Sequence, residues 1–276
     1  MIVQGLTCRK VLAEAALALA QTSDTPRLDA ELLMAHALGI TREDLLLRHL
    51  DAPGSDAFEA LLARRLAHEP IAYITGTRAF WTIDIAVGPG ALIPRADSET
   101  LIEAAIDHFA AAGPATILDL GTGPGTLLLA ALAQWPQATG VGIDRSDPAL
   151  AMAKANADRL SLADRACFAL GDWANGIDQR FDLVLANPPY IGTAEALPTD
   201  VAAFEPPEAL FAGADGLDDY RIIIPQLPHL LTPGGIAVLE IGHTQAEAVS
   251  LLVDQQGMTA SLRFDLAGRP RAIIAR

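Results

Sequence analysis

The first 75 residues distribute apolar and polar positions with the period of an α-helix. Apolar residues recur every three or four positions in four short segments, and a residue suited to N-capping or a glycine marks most of their ends. The predicted helices span Thr7 to Gln21, Arg27 to Leu38, Thr41 to His49 and Asp56 to His68. We therefore predict a small N-terminal helical domain over residues 1–75.

From Pro70 onward the period shortens to two. Apolar side chains alternate with other residues from Ala79 to Val87, and a Gly-Pro-Gly turn follows. This pattern predicts a β-hairpin, which we place in a linker over residues 76–93. Asp97 or Ser98 is then suited to cap a helix that ends near Ala112.

Beyond residue 113, short apolar strands alternate with helical segments. The predicted strands cover residues 116–120, 138–143, 166–170, 181–186, 236–241, 259–264 and 271–275. Alternation of this kind is typical of an α/β fold with a mostly parallel, doubly wound sheet. We assign residues 94–276 to this larger domain.

Composition and charge limit the class of protein. Of the 276 residues 51% are hydrophobic, which excludes a disordered chain, and a net charge of −15 counts against a protein that embraces nucleic-acid phosphates. No apolar run approaches the roughly 18 residues of a transmembrane helix. Cys8 and Cys167 lie too far apart in sequence to suggest a disulfide framework. We expect a soluble cytoplasmic protein with no membrane association.

A glycine-rich loop follows the first predicted strand of the larger domain. It reads Gly121-Thr122-Gly123-Pro124-Gly125, and Asp144 ends the next strand. Such a loop lets backbone approach a ligand, and an acidic strand end can accept hydrogen bonds from ribose. Thr126 replaces the third glycine of a dinucleotide fingerprint, so a nucleotide-like cofactor other than a nicotinamide or flavin is favoured. The alternative is an ordinary tight connection between strand and helix.

The segment Asn187-Pro188-Pro189-Tyr190 directly follows another predicted strand. Carboxyl ends of strands in an open α/β sheet share one crevice, so this segment should lie near the glycine loop. Two prolines make it stiff. The Asn187 amide and the Pro188 carbonyl can accept hydrogen bonds from a planar NH₂ group, while the Tyr190 ring can stack against it. A proline-rich turn with an Asn cap is the alternative.

Taken together, these motifs resemble those of class I S-adenosylmethionine-dependent amino-methyltransferases, with a Rossmann-like fold. More narrowly, the whole chain resembles the PrmC/HemK family, which methylates glutamine in peptide chain release factors. The segments that carry the resemblance to this family are residues 69–76, 80–81, 92–99, 204–206, 215–216, 240–242 and 265–269. Two departures are Ala96, where the family usually has proline, and Pro124, where it has a serine-containing loop.

The resemblance implies a site and a reaction. S-adenosylmethionine would contact the residues Gly121, Thr122, Gly123, Pro124, Gly125, Asp144, Asp172, Trp173 and Asn187. Within that set, the glycine loop would hold the methionine part, Asp144 the ribose, and Asp172 with Trp173 the adenine, although Trp173 could equally be a core aromatic.

The segment Asn187 to Tyr190 would hold the glutamine of a Gly-Gly-Gln motif, whose N5 receives the methyl group. Asn187 and Pro188 would orient that amide nitrogen. Pro124 costs the loop one N–H, but we expect its carbonyl and the flanking glycines to preserve binding.

Three alternative functions are a metal site, nucleic-acid methylation and binding without catalysis. The six histidines show no metal-ligand spacing, so no metal is expected. An N6-adenine or exocyclic-amine nucleic-acid methyltransferase could use the same loop on a flipped base, but the charge of −15 and the lack of a basic run count against direct nucleic-acid binding. A binding module without catalysis is a further alternative. The N-terminal domain is expected to recognise the release factor, and the protein to be a monomer.

Overall fold

A computed structural model describes residues 5–276, so the first four residues of the predicted N-terminal domain lie outside the described residues. The chain forms two compact units. One comprises the residues up to Thr77 together with Leu197–Phe204, and the other comprises Arg78–Ala196 and Glu205–Arg276. The sequence does not predict that Leu197–Phe204 groups with the N-terminal residues.

The helices follow the apolar periodicity closely. They are α1 (Cys8–Leu19), α2 (Pro26–Leu38), α3 (Arg42–Asp44), α4 (Ala57–Leu66), α5 (Ile71–Thr75), α6 (Glu99–Phe109), α7 (Thr126–Gln134), α8 (Asp147–Arg159), α9 (Thr199–Phe204), α10 (Asp218–Ile223), α11 (Leu227–Leu230) and α12 (Ala246–Asp254). A π-helical turn extends α3, and α5 and α9 are short helices that the sequence pattern does not predict. No helix within residues 5–276 is both long and apolar enough to cross a bilayer.

The strands form a hairpin and one large sheet. They are β1 (Thr77–Phe80), β2 (Ile83–Ala86), β3 (Thr116–Leu120), β4 (Thr139–Asp144), β5 (Ala166–Leu170), β6 (Phe181–Ala186), β7 (Leu231–Glu240), β8 (Ala260–Phe264) and β9 (Pro270–Ala275). β1 pairs with β2, and the sheet has the order β5-β4-β3-β6-β7-β9-β8. The five strands from β5 to β7 run parallel, and β9 is antiparallel to both its neighbours. The predicted mostly parallel α/β fold is confirmed.

The strand order places a crevice at the middle of the sheet. The chain runs outward from β3 through β4 to β5 and then returns to the other side of β3 as β6. Ligands of such sheets bind at this reversal, beyond the carboxyl ends of the strands. Leu118, Leu120, Val184 and Ala186 are fully buried there, so the strands that carry the site are rigidly packed.

The N-terminal caps of α8 and α6 differ. Ser146 is the N-cap of α8, where its hydroxyl accepts the Ala149 N–H. Ser98 precedes α6 in a 3₁₀ turn, but its side chain makes no capping bond. The hydroxyl instead accepts a hydrogen bond from the Asn187 side chain.

A buried ion pair joins two helices of the N-terminal unit. Arg65 Nε on α4 lies 2.7 Å from Asp29 Oδ2 on α2, and each side chain is less than a tenth exposed. Asp29 also accepts a hydrogen bond from Thr25 Oγ1, and Arg65 donates to the carbonyls of His68 and Glu69. Removing either charge would leave the other buried and unpaired.

We therefore predict that Asp29→Ala destabilises the N-terminal unit by about 3 kcal/mol, because the Arg65 guanidinium loses its counter-ion in a buried position. Hydrogen exchange of the α1 and α2 amides should accelerate accordingly. The matched control is Asp51→Ala, which removes an exposed pair with Arg9 and should change stability by less than about 1 kcal/mol. Equal effects of the two variants would contradict the prediction.

Candidate active site

A cavity of about 370 Å³ opens beyond the carboxyl ends of β3, β4 and β6. The predicted site residues that line it are Gly121, Gly123, Asp144, Asp172, Trp173, Asn187 and Pro189. A pocket of about 50 Å³ adjoins the cavity, and Thr122 and Pro124 line it. Gly125, Pro188 and Tyr190 line neither of these two spaces, and their predicted roles in binding stay predictions.

The glycine loop is a tight turn between β3 and α7. Gly121 has φ of +69°, and a Cβ at that position would stand 3.1 Å from the Trp173 ring. Only glycine can adopt this positive φ and leave room for the Trp173 ring without strain. The N–H groups of Gly121 and Thr122 both donate to the Ile143 carbonyl, so the loop is attached to the end of β4.

Asp144 braces the same loop from the end of β4. Its Oδ2 accepts the Gly123 N–H at 2.8 Å, and its Oδ1 accepts the Ser146 N–H at 2.9 Å. A carboxylate has about four acceptor positions, so both oxygens retain capacity for a ligand. The strand-end acid therefore shapes the loop as well as lining the cavity.

Asp119, at the penultimate position of β3, supports the loop from below. Its Oδ2 accepts hydrogen bonds from the Thr122 hydroxyl at 2.6 Å and from the Leu128 N–H at 3.2 Å, while Oδ1 has no hydrogen-bond partner. Burial raises the pKa of this carboxyl to about 7, although the Thr122 and Leu128 bonds oppose that shift. The carboxyl is only 1% exposed and borders the small pocket.

Pro124 has a structural partner that the sequence does not reveal. The Asn156 side chain, fully buried on α8, donates from Nδ2 to the Pro124 carbonyl at 2.9 Å. The same amide pairs with the backbone N–H and carbonyl of Ala86 in β2. The Pro124 carbonyl therefore already accepts one hydrogen bond from within the protein, and its predicted part in binding a ligand stays a prediction. A lone helical asparagine carries no sequence signal for this role.

Trp173 packs close to Gly121 of the glycine loop and lines the cavity. Its backbone adopts a positive φ of 50°, which is uncommon for a bulky residue. The ring also packs partly against the hydrophobic core. Trp173 is thus both a packed aromatic and a cavity wall, with Asp172 beside it.

The Asn187 amide is held in one orientation. Its Nδ2 donates to the Ser98 hydroxyl at 3.3 Å, which leaves the amide oxygen as an acceptor in a residue that lines the cavity. The Tyr190 hydroxyl donates to Glu240 Oε1 at 3.3 Å. Burial, followed by the nearby Glu240 charge, raises the pKa of Tyr190. The hydroxyl thus belongs to a buried polar contact, and the predicted ring stacking of Tyr190 stays a prediction.

An ion pair between the half-exposed Arg95 and the buried Glu205 lies near Asn187. Glu205 accepts the Ile93 N–H at 3.0 Å and pairs with the Arg95 guanidinium, which also donates to the Ile93 carbonyl. Glu205 thereby ties residues 93–95 to the segment that begins at residue 205. Arg95 borders the small pocket, and Ala96 follows it without a proline ring.

The buried Asp119 predicts a pH-dependent stability. Its native pKa of about 7 exceeds the unfolded value of 3.8, so the folded state retains a proton that the unfolded state releases, and stability falls as pH rises between these values. Asp119→Asn keeps an oxygen acceptor but never ionises. The free energy of unfolding of this variant, relative to wild type, should rise by about 1 kcal/mol per pH unit between roughly pH 5 and 7 in denaturant titrations. Exposed Asp164→Asn should show no such trend; a flat Asp119→Asn profile would refute the shift.

Comparison with protein families matches both parts of the chain. Residues 10–76 match the model described as the PrmC N-terminal domain, and residues 113–265 match a methyltransferase domain. Release factor glutamine methyltransferases are similar over nearly the whole chain. That of Rhodospirillum rubrum is 45% identical, covering 92% of this chain and 79% of its own, and that of Cereibacter sphaeroides is 44% identical, covering 90% of each.

Solved structures share the fold at low sequence identity. A methyltransferase from Pyrococcus furiosus has a TM-score of 0.55 at 16% identity, over 77% of this chain and 95% of its own. A ribosomal protein L11 methylase from Lactobacillus delbrueckii subsp. bulgaricus has a TM-score of 0.50 at 21% identity, over 66% and 80%. These likenesses bear on the fold alone. The sequence relatives, the two family domains and the methyltransferase fold agree with the resemblance seen in the motifs: the chain belongs to the release factor glutamine methyltransferase family, whose members are S-adenosylmethionine-dependent enzymes.

Proposed function

We propose that this enzyme methylates N5 of the glutamine in the Gly-Gly-Gln motif of peptide chain release factors. Membership of the family supports a release factor as the substrate. The observation that carries the proposal is the Asn187 amide, which lines the cavity with its NH₂ group bound to Ser98 and its oxygen left to accept. An acceptor fixed in this way suits a substrate that presents an NH₂ group.

The cavity fits S-adenosylmethionine. Trp173 lies so close to Gly121 that a side chain would fill the space between them, and Asp144 retains acceptor capacity toward the cavity. Gly121 and Gly123 would hold the methionine part, Asp144 the ribose hydroxyls, and Asp172 with Trp173 the adenine. When bound, this cofactor supplies an electrophilic methyl group on a sulfonium sulfur.

The protein has to make an amide nitrogen nucleophilic. That nitrogen shares its lone pair with the neighbouring carbonyl, so hydrogen bonds to its two N–H groups must orient it and favour a pyramidal geometry. Asn187 Oδ1 and the Pro188 carbonyl would accept these bonds. The positive charge that develops on the nitrogen strengthens both bonds, which lowers the barrier.

The N-terminal unit is proposed to grip the release factor. It has its own core of α1, α2 and α4 side chains and carries none of the cavity residues. The net charge of −15 favours a protein substrate over a nucleic acid. The monomeric state and the cytoplasmic location stay predictions.

Removing the Asn187 amide should abolish most of the activity. We predict that Asn187→Ala lowers the rate of methyl transfer to release factor by about 100-fold, because one of two acceptors for the substrate NH₂ is lost. Mass spectrometry of the release factor after incubation with S-adenosylmethionine measures the methylated glutamine directly. Gln179→Ala, which removes an exposed side-chain amide, should retain wild-type rate. A wild-type rate for Asn187→Ala, or methylation of DNA or RNA in a parallel assay without glutamine methylation, would contradict the proposal.

Asp144 should govern cofactor affinity. Asp144→Ala removes the ribose acceptor and releases the Gly123 N–H, so the Kd for S-adenosylmethionine should rise by about tenfold or more in calorimetric titration. The exposed Asp158→Ala controls for the loss of one negative charge. An unchanged Kd for Asp144→Ala would exclude the assigned ribose contact.

A further inference from the structure

Behind Asn187 lies a polar cluster that comprises Ser98, Asn187, Tyr190 and Glu240. It joins three separate segments: the turn before α6, the loop after β6, and the end of β7. Ser98 is 3% exposed and Glu240 is 1% exposed. Polar groups this deeply buried carry a desolvation cost, so their arrangement calls for a physical reason.

Ser98 determines which way the Asn187 amide faces. A side-chain amide has an acceptor on one side and two donors on the other, and the two are exchanged by a half-turn of the terminal bond. The Ser98 oxygen accepts from Nδ2 at 3.3 Å, and this contact assigns the donor side to the protein interior. The half-turned amide would present NH₂ where the substrate also presents NH₂.

Glu240 is the buried carboxyl next to this pair. An oxygen that accepts from Asn187 must direct its own hydrogen elsewhere, and the Ser98 hydroxyl opposes the rise in the pKa of Glu240 that burial causes, as a donor facing that carboxyl would. Glu240 Oε2 has no hydrogen-bond partner. Glu240 Oε1 accepts from the Tyr190 hydroxyl, so the carboxyl holds the loop that carries Asn187 three residues away.

The backbone at Glu240 is itself held in place. Tyr220 donates its hydroxyl to the Glu240 backbone carbonyl at 2.6 Å, and the Ile241 N–H donates to the Arg271 carbonyl of β9. The Arg271 side chain pairs with Asp97, next to Ser98, and with Asp265. The position of Glu240 relative to Ser98 is therefore fixed by the sheet and by this ion-pair network.

From this geometry we infer that Ser98 and Glu240 are positioning residues for methyl transfer: Ser98 holds the Asn187 amide with its oxygen toward the substrate, and Glu240 holds the same loop through Tyr190. The inference rests on the proposed function, since the orientation matters only if Asn187 accepts a substrate NH₂ group. Ser98 borders the small pocket, but neither residue lines the large cavity, so we assign both a positioning role. Their effect should appear in kcat and leave cofactor affinity unchanged.

Ser98→Ala provides the direct test. With the full-length enzyme and release factor, this variant should lower kcat roughly tenfold, because the Asn187 amide becomes free to turn. The Kd for S-adenosylmethionine and the Tm should stay near the wild-type values. Ser98→Thr, which keeps the hydroxyl, should recover most of the rate, and Ser250→Ala on α12 serves as the matched control.

A double variant separates positioning from general structural support. If Ser98 acts through Asn187, Ser98→Ala should cause no further loss in an Asn187→Ala background. A wild-type kcat for Ser98→Ala, or the same additional loss in both backgrounds, would overturn the inference. Should Ser98→Ala fail to fold, Glu240→Leu, which replaces the carboxyl by an apolar group of similar size, takes its place in the same cycle with the same two outcomes. Absence of glutamine methylation by the wild-type enzyme would instead overturn the proposed function, and the inference with it.

Discussion

The geometry of the site depends on the support of one glycine loop by two carboxylates. The loop must turn sharply at the end of β3, and its N–H groups lose their strand partners there. Asp144 receives the Gly123 N–H from the neighbouring strand, and Asp119 receives the Thr122 hydroxyl and the first turn of α7. Asp119 and Asp144 thus satisfy polar groups of the loop within the protein, so the loop can remain open toward a ligand.

On the opposite side of the cavity, the segment after β6 is held in place by different interactions. Pro188 and Pro189 stiffen the backbone after β6, but prolines cannot orient a neighbouring side chain by donating hydrogen bonds. That task passes to groups from other segments, with Ser98 beside Asn187 and Glu240 beside Tyr190. Stiffness is thus local in sequence, whereas side-chain orientation is supplied by tertiary contacts.

Buried carboxyls occur on both sides of the site at a real energetic cost. Burial raises the pKa of Glu240 to about 7, as it does for Asp119, and the Ser98 and Tyr190 hydroxyls oppose the shift. Each carboxyl stands at or near the end of a buried parallel strand, where backbone and hydroxyl donors converge. Retaining such groups is consistent with their use in ordering loops around the cavity, since apolar residues would pack there at lower cost.

The local sequence was sufficient for the strand and helix alternation, the mostly parallel sheet, and the cavity residues Gly121, Asp144 and Asn187, because each follows a strand directly and such strand ends converge. The spacing of apolar residues alone could not predict α5 or the grouping of Leu197–Phe204 with the N-terminal unit. Only the tertiary structure decided that Asn156 occupies the Pro124 carbonyl and that Ser98 leaves its helix uncapped to face Asn187. Those choices join residues 32 and 89 positions apart, and a hydrogen bond across such a distance depends on how the elements pack, which no local pattern records.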